Sequence, residues 1–218
     1  MDFVRPPRPV TLELVAGRGH YDRVVRAVLE AEVSVWIATA NLKELMVEDP
    51  RARPGRRRGG KRTAYRSVLE VLDELAGRGV ELRLLHAGVP SGPFARQLRA
   101  HPRLLGMLRA CPRLHLKAVI VDGATLYLGS ANWTGAGLGA KGVGRRNFEL
   151  GIVTRDEPLL DEVQGIFDRL WRGGECKGCK LRAECGAPLD ALGVIPSAAR
   201  SSGRCASRAA PAGNRRRG

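Results

Sequence analysis

The chain has 218 residues, of which 44% are hydrophobic, and it carries a formal net charge of +15. This length allows one domain with a sizeable core but is short for two. The longest apolar runs, such as residues 35–38 and 118–121, have the length of strands and are far too short to span a bilayer. The N-terminus has no apolar segment typical of a secretion signal, so we expect a cytoplasmic protein without stable membrane association.

The positive charge is concentrated in two segments. Residues 51–62 carry seven basic side chains and residues 199–218 carry six, and neither segment contains an acidic one. Outside them, 24 basic side chains face 22 acidic ones. Such segments attract polyanions through counterion release, so nucleic acid is the expected partner. The alternative is that they are solvated loops, enlarged by a general preference for arginine, since only six of the 37 basic residues are lysine.

The predicted elements alternate between helices and strands. Residues 1–9 are rich in proline and arginine and are expected to form an arm. Apolar spacing predicts helices at 21–32, 65–76, part of 94–108, and 158–171. Short apolar or alternating runs predict strands at 33–38, 80–85, 114–121, 125–128 and 147–153. This order predicts an α/β/α sandwich around a mixed sheet over residues 10–172, followed by a cysteine-rich loop at 173–189 and a disordered basic tail at 190–218.

Residues 115–132 carry the most informative pattern in the chain. On a strand, residues two apart face the same side, so His115 and Lys117 project together. Ser130 and Asn132 follow Gly129, whose lack of a side chain permits close approach of backbone and substrate. Asn147 and Glu149 repeat the two-residue spacing on the next predicted strand.

These side chains are suited to attack on a phosphodiester. A neutral imidazole is a nucleophile toward phosphorus and a proton carrier. Lys117 supplies positive charge, and Asn132 and Ser130 supply hydrogen bonds, to the phosphoryl oxygens. Glu149 is a candidate to hold the second imidazole nitrogen. A single His-x-Lys is usually an ordinary surface pair, and Gly-Ser-x-Asn is an ordinary turn, but their combination at this spacing leaves little room for coincidence.

The string HLKAVIVDGATLYLGSAN resembles the signature of the phospholipase D superfamily, His-x-Lys-x4-Asp-x6-Gly-Ser-x-Asn, at every position. The resemblance covers roughly residues 10–172 and implies the fold of one half of the family architecture, with one half-site per chain. It implies a covalent phosphohistidine on His115, phosphate binding by Lys117 and Asn132, and no metal for catalysis. It also implies that Asp122 orders a turn without touching substrate.

The family usually builds one site from two such motifs, and this chain has one. The residues two positions after His20, His86 and His101 are Asp22, Gly88 and Arg103, so none repeats His-x-Lys. The chain is similar in this respect to bacterial endonucleases of the superfamily that carry a single motif, which implies a homodimer with a shared site.

Two further features are less specific. The glycine-rich stretch 134–146 lacks the Ser or Thr that a P-loop needs after Lys141, and it is expected to form a mobile rim from which Arg145 and Arg146 reach a substrate phosphate. His86 either lines the mouth of the site or is a structural histidine.

A cysteine cluster follows the last predicted helix. Cys176, Cys179 and Cys185 lie among basic residues that favour thiolates, and a fourth ligand would complete either a Zn²⁺ site or a [4Fe–4S] cluster. Cys111 is the preferred fourth ligand, with Cys205 as the alternative. The spacing resembles the C-terminal cluster of iron–sulfur nucleases that add one distant upstream cysteine. The remaining alternative is a set of free thiols.

Three functions are therefore open. The first is a phosphodiesterase that cleaves nucleic acid. The second is a phospholipase or phosphatidyl transferase acting on phospholipid headgroups, which the absence of an amphipathic membrane helix disfavours. The third is a non-catalytic nucleic-acid-binding module, which the complete polar set disfavours.

Overall fold

The computed structural model describes residues 2–48, 55–57, 60–62 and 64–191, and for 55–57 and 60–62 it describes only the backbone. Of the basic segment at 51–62, only the backbone of 55–57 and 60–62 is therefore described. The basic tail beyond residue 191, including Cys205, lies wholly outside the described residues.

Strands and helices alternate along most of the chain. The strands are β1 (Leu12–Ala16), β2 (Ser34–Thr39), β3 (Met46–Glu48), β4 (Gly55–Arg57), β5 (Gly60–Arg62), β6 (Tyr65–Ser67), β7 (Glu81–His86), β8 (Leu108–Ala110), β9 (Ala118–Val121), β10 (Thr125–Gly129) and β11 (Leu150–Thr154). The helices are α1 (Arg18–His20), α2 (Arg26–Leu29), α3 (Val68–Gly77), α4 (Gly92–Ala100), α5 (Pro102–Leu105) and α6 (Glu157–Trp171). A π-helical segment, Tyr21–Val25, joins α1 to α2, and Val143–Arg145 forms a short 3₁₀ helix.

The central sheet has seven strands in the order β1-β11-β10-β9-β2-β7-β8. Strands β2, β7 and β8 run parallel to one another. Strand β9 pairs antiparallel with β2 and β10, and β11 pairs antiparallel with β10 and β1. The β3–β6 and β4–β5 pairs form two small separate sheets. The predicted α/β fold with a mixed sheet is therefore confirmed.

Two apolar layers cover the sheet. The larger core lies between one face and the helices α1 to α5, and it includes Val25, Leu72 and Phe94. The smaller core lies between the other face and α6, where the Phe167 ring stacks obliquely on Trp36 at a centroid distance of 5.3 Å. Burial of large aliphatic and aromatic side chains on both faces is what the near-continuous apolar sequence of β2 and β9 requires.

Several elements differ from the sequence-based expectation. Residues 65–67 were predicted as part of a helix but pair with β3, and α3 begins only at Val68, where the Ser67 hydroxyl accepts a hydrogen bond from the Leu69 amide. Strands β1, β3, β4, β5 and β8 were not predicted, and the strand predicted at 147–153 begins only at Leu150, so Asn147 and Glu149 precede it. The sequence did not reveal β1 because Val15 is its only buried residue, so its apolar and polar side chains do not alternate clearly.

The terminal segments contact the sheet domain through polar bonds. The N-terminal arm has no regular structure, yet Arg5 bonds to Glu162 at 2.5 Å and Arg8 pairs with Asp156 at the start of α6. Beyond α6, residues 172–191 contain neither helix nor strand. No helix in the described part of the chain is long and apolar enough to cross a bilayer.

Asp122 holds the connection between β9 and the start of β2. Its carboxylate accepts hydrogen bonds from the backbone amides of Glu32, Val33 and Ser34, the shortest at 2.7 Å. Its backbone has φ +54°, in the left-handed region that Asp tolerates better than most residues. One side chain therefore satisfies three amides where the chain enters the central sheet.

We predict that Asp122→Ala lowers the free energy of unfolding by about 2–3 kcal/mol, because a charged acceptor of several amides is lost. Asp122→Asn is the matched control, since it keeps an acceptor oxygen and tolerates the same backbone conformation, and it should cost less. Urea unfolding followed by circular dichroism measures both. Equal stability of Asp122→Ala and wild type would contradict this role.

Candidate active site

The motif residues meet at one end of the central sheet, where β2 and β10 finish and β9 and β11 begin. The Gly129 amide donates to the Lys117 carbonyl at 3.3 Å, and the Ser130 amide donates to the Leu150 carbonyl at 3.0 Å. The ladder thus continues past the ends of the regular strands, and it brings residues of three separate sequence segments side by side.

His115 and Lys117 precede β9 and do not lie within it. Their side chains nevertheless continue the alternation between the two sheet faces that is seen in β9. Leu114 packs with Ala118 in the smaller core, so His115 and Lys117 project toward the side of Val119, which belongs to the larger core. The sequence-based strand at 114–121 was therefore too long by its first four residues, although its alternation persists.

The Lys117 ammonium lies against the imidazole of His115. Its Nζ is 3.0 Å from Nδ1 and 3.1 Å from Nε2, and it donates to the His115 carbonyl at 2.9 Å. Partial burial lowers the pKa of Lys117, and the negative charge of Glu149 opposes that shift. His115 itself is exposed, so its ring is accessible to a substrate.

Glu149 bridges the two polar residues that flank it in space. Its Oε2 accepts from the Ser130 hydroxyl, and its Oε1 accepts from the Asn147 side-chain Nδ2 at 3.0 Å. Among the described residues, no hydrogen bond joins Glu149 to His115, so the expected imidazole–carboxylate pair does not form within one chain. Glu149 instead orders Ser130, whose hydroxyl also accepts from the Leu150 amide at 3.1 Å.

Asn132 is oriented by the last residue of β2 and by a residue just after it. Its Oδ1 accepts from the Asn41 amide at 3.0 Å and from the Thr39 hydroxyl at 3.3 Å. Because the oxygen is engaged, the NH₂ group is the part left to donate to a ligand. Thr39 also accepts from the Trp133 amide at 2.9 Å. Sequence analysis missed Thr39 and Asn41; the available signal was polar residues directly after a buried strand.

A cleft of about 180 Å³ opens beside Asn132. Its lining includes Asn147 together with two exposed cations, Lys43 and Lys141. Asn132 and Asn147, which are separated in sequence, therefore face the same space, and positive charge stands at its rim.

The glycine-rich stretch is only partly a rim. Gly135, Gly137 and Gly139 are buried, and a Cβ on Gly139 would lie 2.3 Å from the Gly17 carbonyl oxygen. The expectation of a mobile rim is therefore wrong for this first half, which packs against the start of α1. Residues 141–145 are exposed, including Arg145, and Arg146 Nε donates to the Lys141 carbonyl at 2.5 Å. No contact joins either arginine to the motif side chains in the described residues.

Two other histidines are buried. His86 is 7% exposed and its Nδ1 lies 2.8 Å from the Gly88 carbonyl, as expected of a structural histidine, and burial lowers its pKa. His20 is fully buried, lies edge-on to Tyr127 at 5.6 Å, and has a pKa lowered by burial.

The four cysteines that sequence analysis proposed as metal ligands lie near the His115 segment. Cys111, Cys176, Cys179 and Cys185 are unpaired and line one small cavity. Among the described His, Cys, Asp and Glu side chains, no group of three already has the arrangement of a metal site. The pKa of the Cys179 thiol is lowered, most by a hydrogen bond with the Leu181 backbone and next by one with the Arg113 side chain.

Tyr127 explains why Gly129 is a glycine. A Cβ on Gly129 would lie 2.3 Å from the Tyr127 hydroxyl oxygen and 2.8 Å from the Gly151 Cα, its partner on β11. The ring of Tyr127 fills the space above both glycines, and its hydroxyl accepts from the Ala131 amide at 3.4 Å. Burial raises the pKa of Tyr127 to about 12.

We predict that Gly129→Ala lowers the free energy of unfolding by about 1–3 kcal/mol, because the added methyl group displaces Tyr127 or separates β10 from β11. Gly144→Ala is the control, since nothing lies within 4 Å of a Cβ there. Thermal unfolding of both variants tests the difference. A Gly129→Ala protein as stable as the Gly144→Ala protein would contradict the close packing.

One family model and several solved structures are similar to this chain. The family model described as "Cardiolipin synthase, PLD-like domain" matches residues 60–171. A search of curated proteins finds no match. Similar solved structures include NucT from Helicobacter pylori, at 15% identity over 74% of this chain and 95% of that chain, with TM-score 0.49. Nuc from Salmonella typhimurium, a phospholipase D family member, is similar at 18% identity over 75% and 95%, with TM-score 0.48. Phosphatidylserine synthase from Haemophilus influenzae Rd KW20 is similar at 13% identity over 72% and 36%, with TM-score 0.49.

The matched family segment spans just over half of the 218 residues and contains the whole motif from His115 to Asn132. The chain therefore belongs to the phospholipase D-like family, whose members are phosphodiesterases and transferases.

Proposed function

We propose that this protein is a phosphodiesterase that cleaves nucleic acid through a covalent phosphohistidine on His115, and that it acts as a homodimer with a shared site. The observation that carries the proposal is the geometry around His115. An exposed imidazole stands beside the Lys117 ammonium, at the strand ends that also present Ser130 and the oriented amide of Asn132.

Each residue has one task in this proposal. A ring nitrogen of His115 attacks phosphorus, the P–N bond forms, and the bond to the leaving alcohol oxygen breaks. Lys117 and the Asn132 NH₂ group bind the phosphoryl oxygens and stabilise the charge that accumulates on them. A water molecule then attacks the phosphohistidine and releases the second product. Because fixed protein groups offset the phosphate charge, the proposed chemistry requires no divalent ion.

The leaving alcohol needs a proton, and no other histidine contacts His115 or Lys117 among the described residues. The chain has four histidines in total. His20 and His86 are buried. His101, which precedes α5, has its Nδ1 3.5 Å from an Asp73 carboxylate oxygen. The proton donor is therefore the His115 of a second copy, as expected for a two-fold symmetric site.

Charge favours nucleic acid as the substrate. Lys43 and Lys141 line the cleft at Asn132 together with one acidic residue, Glu44. Two basic segments of the sequence, at 51–62 and 199–218, add thirteen further cations without acidic neighbours. Several contacts to consecutive phosphates suit a polyanion better than a single phospholipid headgroup.

The first test compares wild type with His115→Ala on plasmid, single-stranded DNA, RNA and phosphatidylcholine vesicles, with and without EDTA. We expect cleavage of at least one nucleic acid, insensitive to EDTA, and a loss of at least about a thousandfold in His115→Ala because the nucleophile is absent. Ser201→Ala, far outside the motif in sequence, is the control.

The outcomes separate the alternatives. Headgroup release without nucleic-acid cleavage would replace the substrate by phospholipid. Tight binding of nucleic acid without turnover in wild type would reduce the protein to a binding module. Full activity in His115→Ala would exclude the phosphohistidine.

The second test asks whether two His115 side chains form one site. Wild type and His115→Ala chains are co-expressed with different tags at equal levels, so that subunits mix at random. If both imidazoles are required, activity per total protein should fall to about one quarter of wild type, because only wild-type pairs are active. A monomer, or a site complete within one chain, would give about one half. Light scattering of the purified protein supplies the independent measure of mass.

A further inference from the structure

The loop after α6 has a regular internal pattern that the proposed catalysis does not use. The amides of Cys176, Cys179, Arg182 and Cys185 each donate to the carbonyl three residues earlier, at 2.9, 3.1, 3.1 and 3.3 Å. Hydrogen bonds of this type repeat every three residues, so residues three apart lie on the same side. The spacing of Cys176, Cys179 and Cys185 matches this repeat, which places their three side chains on one side of the loop.

That side faces the protein. Between residues 177 and 187, Cys179 and Cys185 are the only two residues that are not exposed. A stretch that is otherwise solvated thus turns its sulfur-bearing side chains inward. Free cysteine often packs inward as a small apolar residue, so the indication of a ligand comes from the fourth thiol that meets these three from the sheet domain.

Cys111 approaches the same point from the sheet domain. It follows β8, where its amide donates to the His86 carbonyl at 2.8 Å, and it packs with Cys176 against the smaller core. The four cysteines line one cavity together with Arg113 and Arg182. Residues far apart in sequence therefore present four thiols to a common space.

We propose that Cys111, Cys176, Cys179 and Cys185 bind one Zn²⁺ ion. Four thiolates form the closed tetrahedral site that structural zinc prefers. The cavity among the four thiols has a volume of about 20 Å³, which accommodates one water-sized body. The thiols are not yet arranged as a metal site, so the side chains rotate about their Cα–Cβ bonds as the ion binds.

The surroundings fit the charge of such a centre. Binding of Zn²⁺ to four thiols releases four protons and leaves a centre of net charge −2. Arg113 and Arg182 line the cavity, and Lys177 and Lys180 follow Cys176 and Cys179 in the loop. Arg182 also bonds to Asp190 at 2.6 Å, and Arg113, Lys177 and Lys180 add positive charge near the negative centre.

The ion would cross-link the loop after α6 to the segment just before His115. Cys111 lies four residues before His115, and the Leu114 amide donates to the Cys111 carbonyl at 2.9 Å. A cleft of about 500 Å³ is lined by His115 together with Cys111, Cys176 and Cys179. Residues 172–191 have no helix or strand of their own, so a cross-link to Cys111 is the kind of bond that fixes their path.

Metal content and thiol protection test the proposal on the full chain without reference to catalysis. The protein is purified under reducing conditions and analysed for zinc and iron, and then its thiols are alkylated with and without chelator and located by mass spectrometry. We expect about one zinc per chain. Without chelator only Cys205 should be modified; with chelator all five cysteines should be.

Variants assign the ligands. Cys111→Ser and Cys176→Ser should lower zinc affinity at least tenfold, measured by competition with a chromophoric chelator, whereas the control Cys205→Ser should retain it. Loss of zinc in Cys205→Ser with retention in Cys111→Ser would overturn the ligand set. Iron with acid-labile sulfide, or no metal and uniform alkylation of wild type, would overturn the zinc site. The alkylation pattern of wild type decides the matter even if a serine variant does not fold.

Discussion

The register of the antiparallel strands around β9 determines where every motif side chain lies. β9 pairs with β2 on one side and β10 on the other, and Ala118 opposes Ala38 and Leu128. The ends of β2 and β10 therefore meet the beginning of β9 at a single edge of the sheet. A slip of one residue would turn His115 and Lys117 toward α6 and away from the polar ends of the other strands.

Tyr127 secures this register from inside the larger core. Its ring occupies the space that side chains would need at Gly129 and Gly151, which oppose each other on β10 and β11. Because Gly129 and Gly151 have no side chains, the Tyr127 ring fits above them, and the ring leaves no room for a Cβ at either position. Because Ser130 follows Gly129 directly, the packing of one buried aromatic side chain sets the position of a polar group at the site. The edge-on contact of His20 with the same ring extends this support to the first helical segment.

Local sequence patterns predicted the helices of the larger core, the α/β class and the common face of His115 and Lys117, because side-chain alternation and helical spacing follow from backbone geometry. They did not predict the contacts of Asn132 with Thr39 and Asn41, which depend on strands more than ninety residues apart in sequence. They also assigned Glu149 to the imidazole, whereas it bonds to Ser130 and Asn147. Spacing along a chain fixes which face a side chain occupies, but the choice among several nearby partners depends on distances that only the folded sheet defines.

Substrate attraction and chemistry have separate physical origins if the proposed function holds. The cations at 51–62 and 199–218 act over a Debye length and attract any polyanion, with a strength that falls as salt rises. Lys117 and Asn132 act at hydrogen-bond distance and are held by neighbouring backbone groups, so their effect depends little on salt. The same fixed set would serve any phosphodiester that reached it. Under the proposed function, the preference for nucleic acid would therefore come from these basic segments and from Lys43 and Lys141 at the cleft, whereas the motif would supply the reaction.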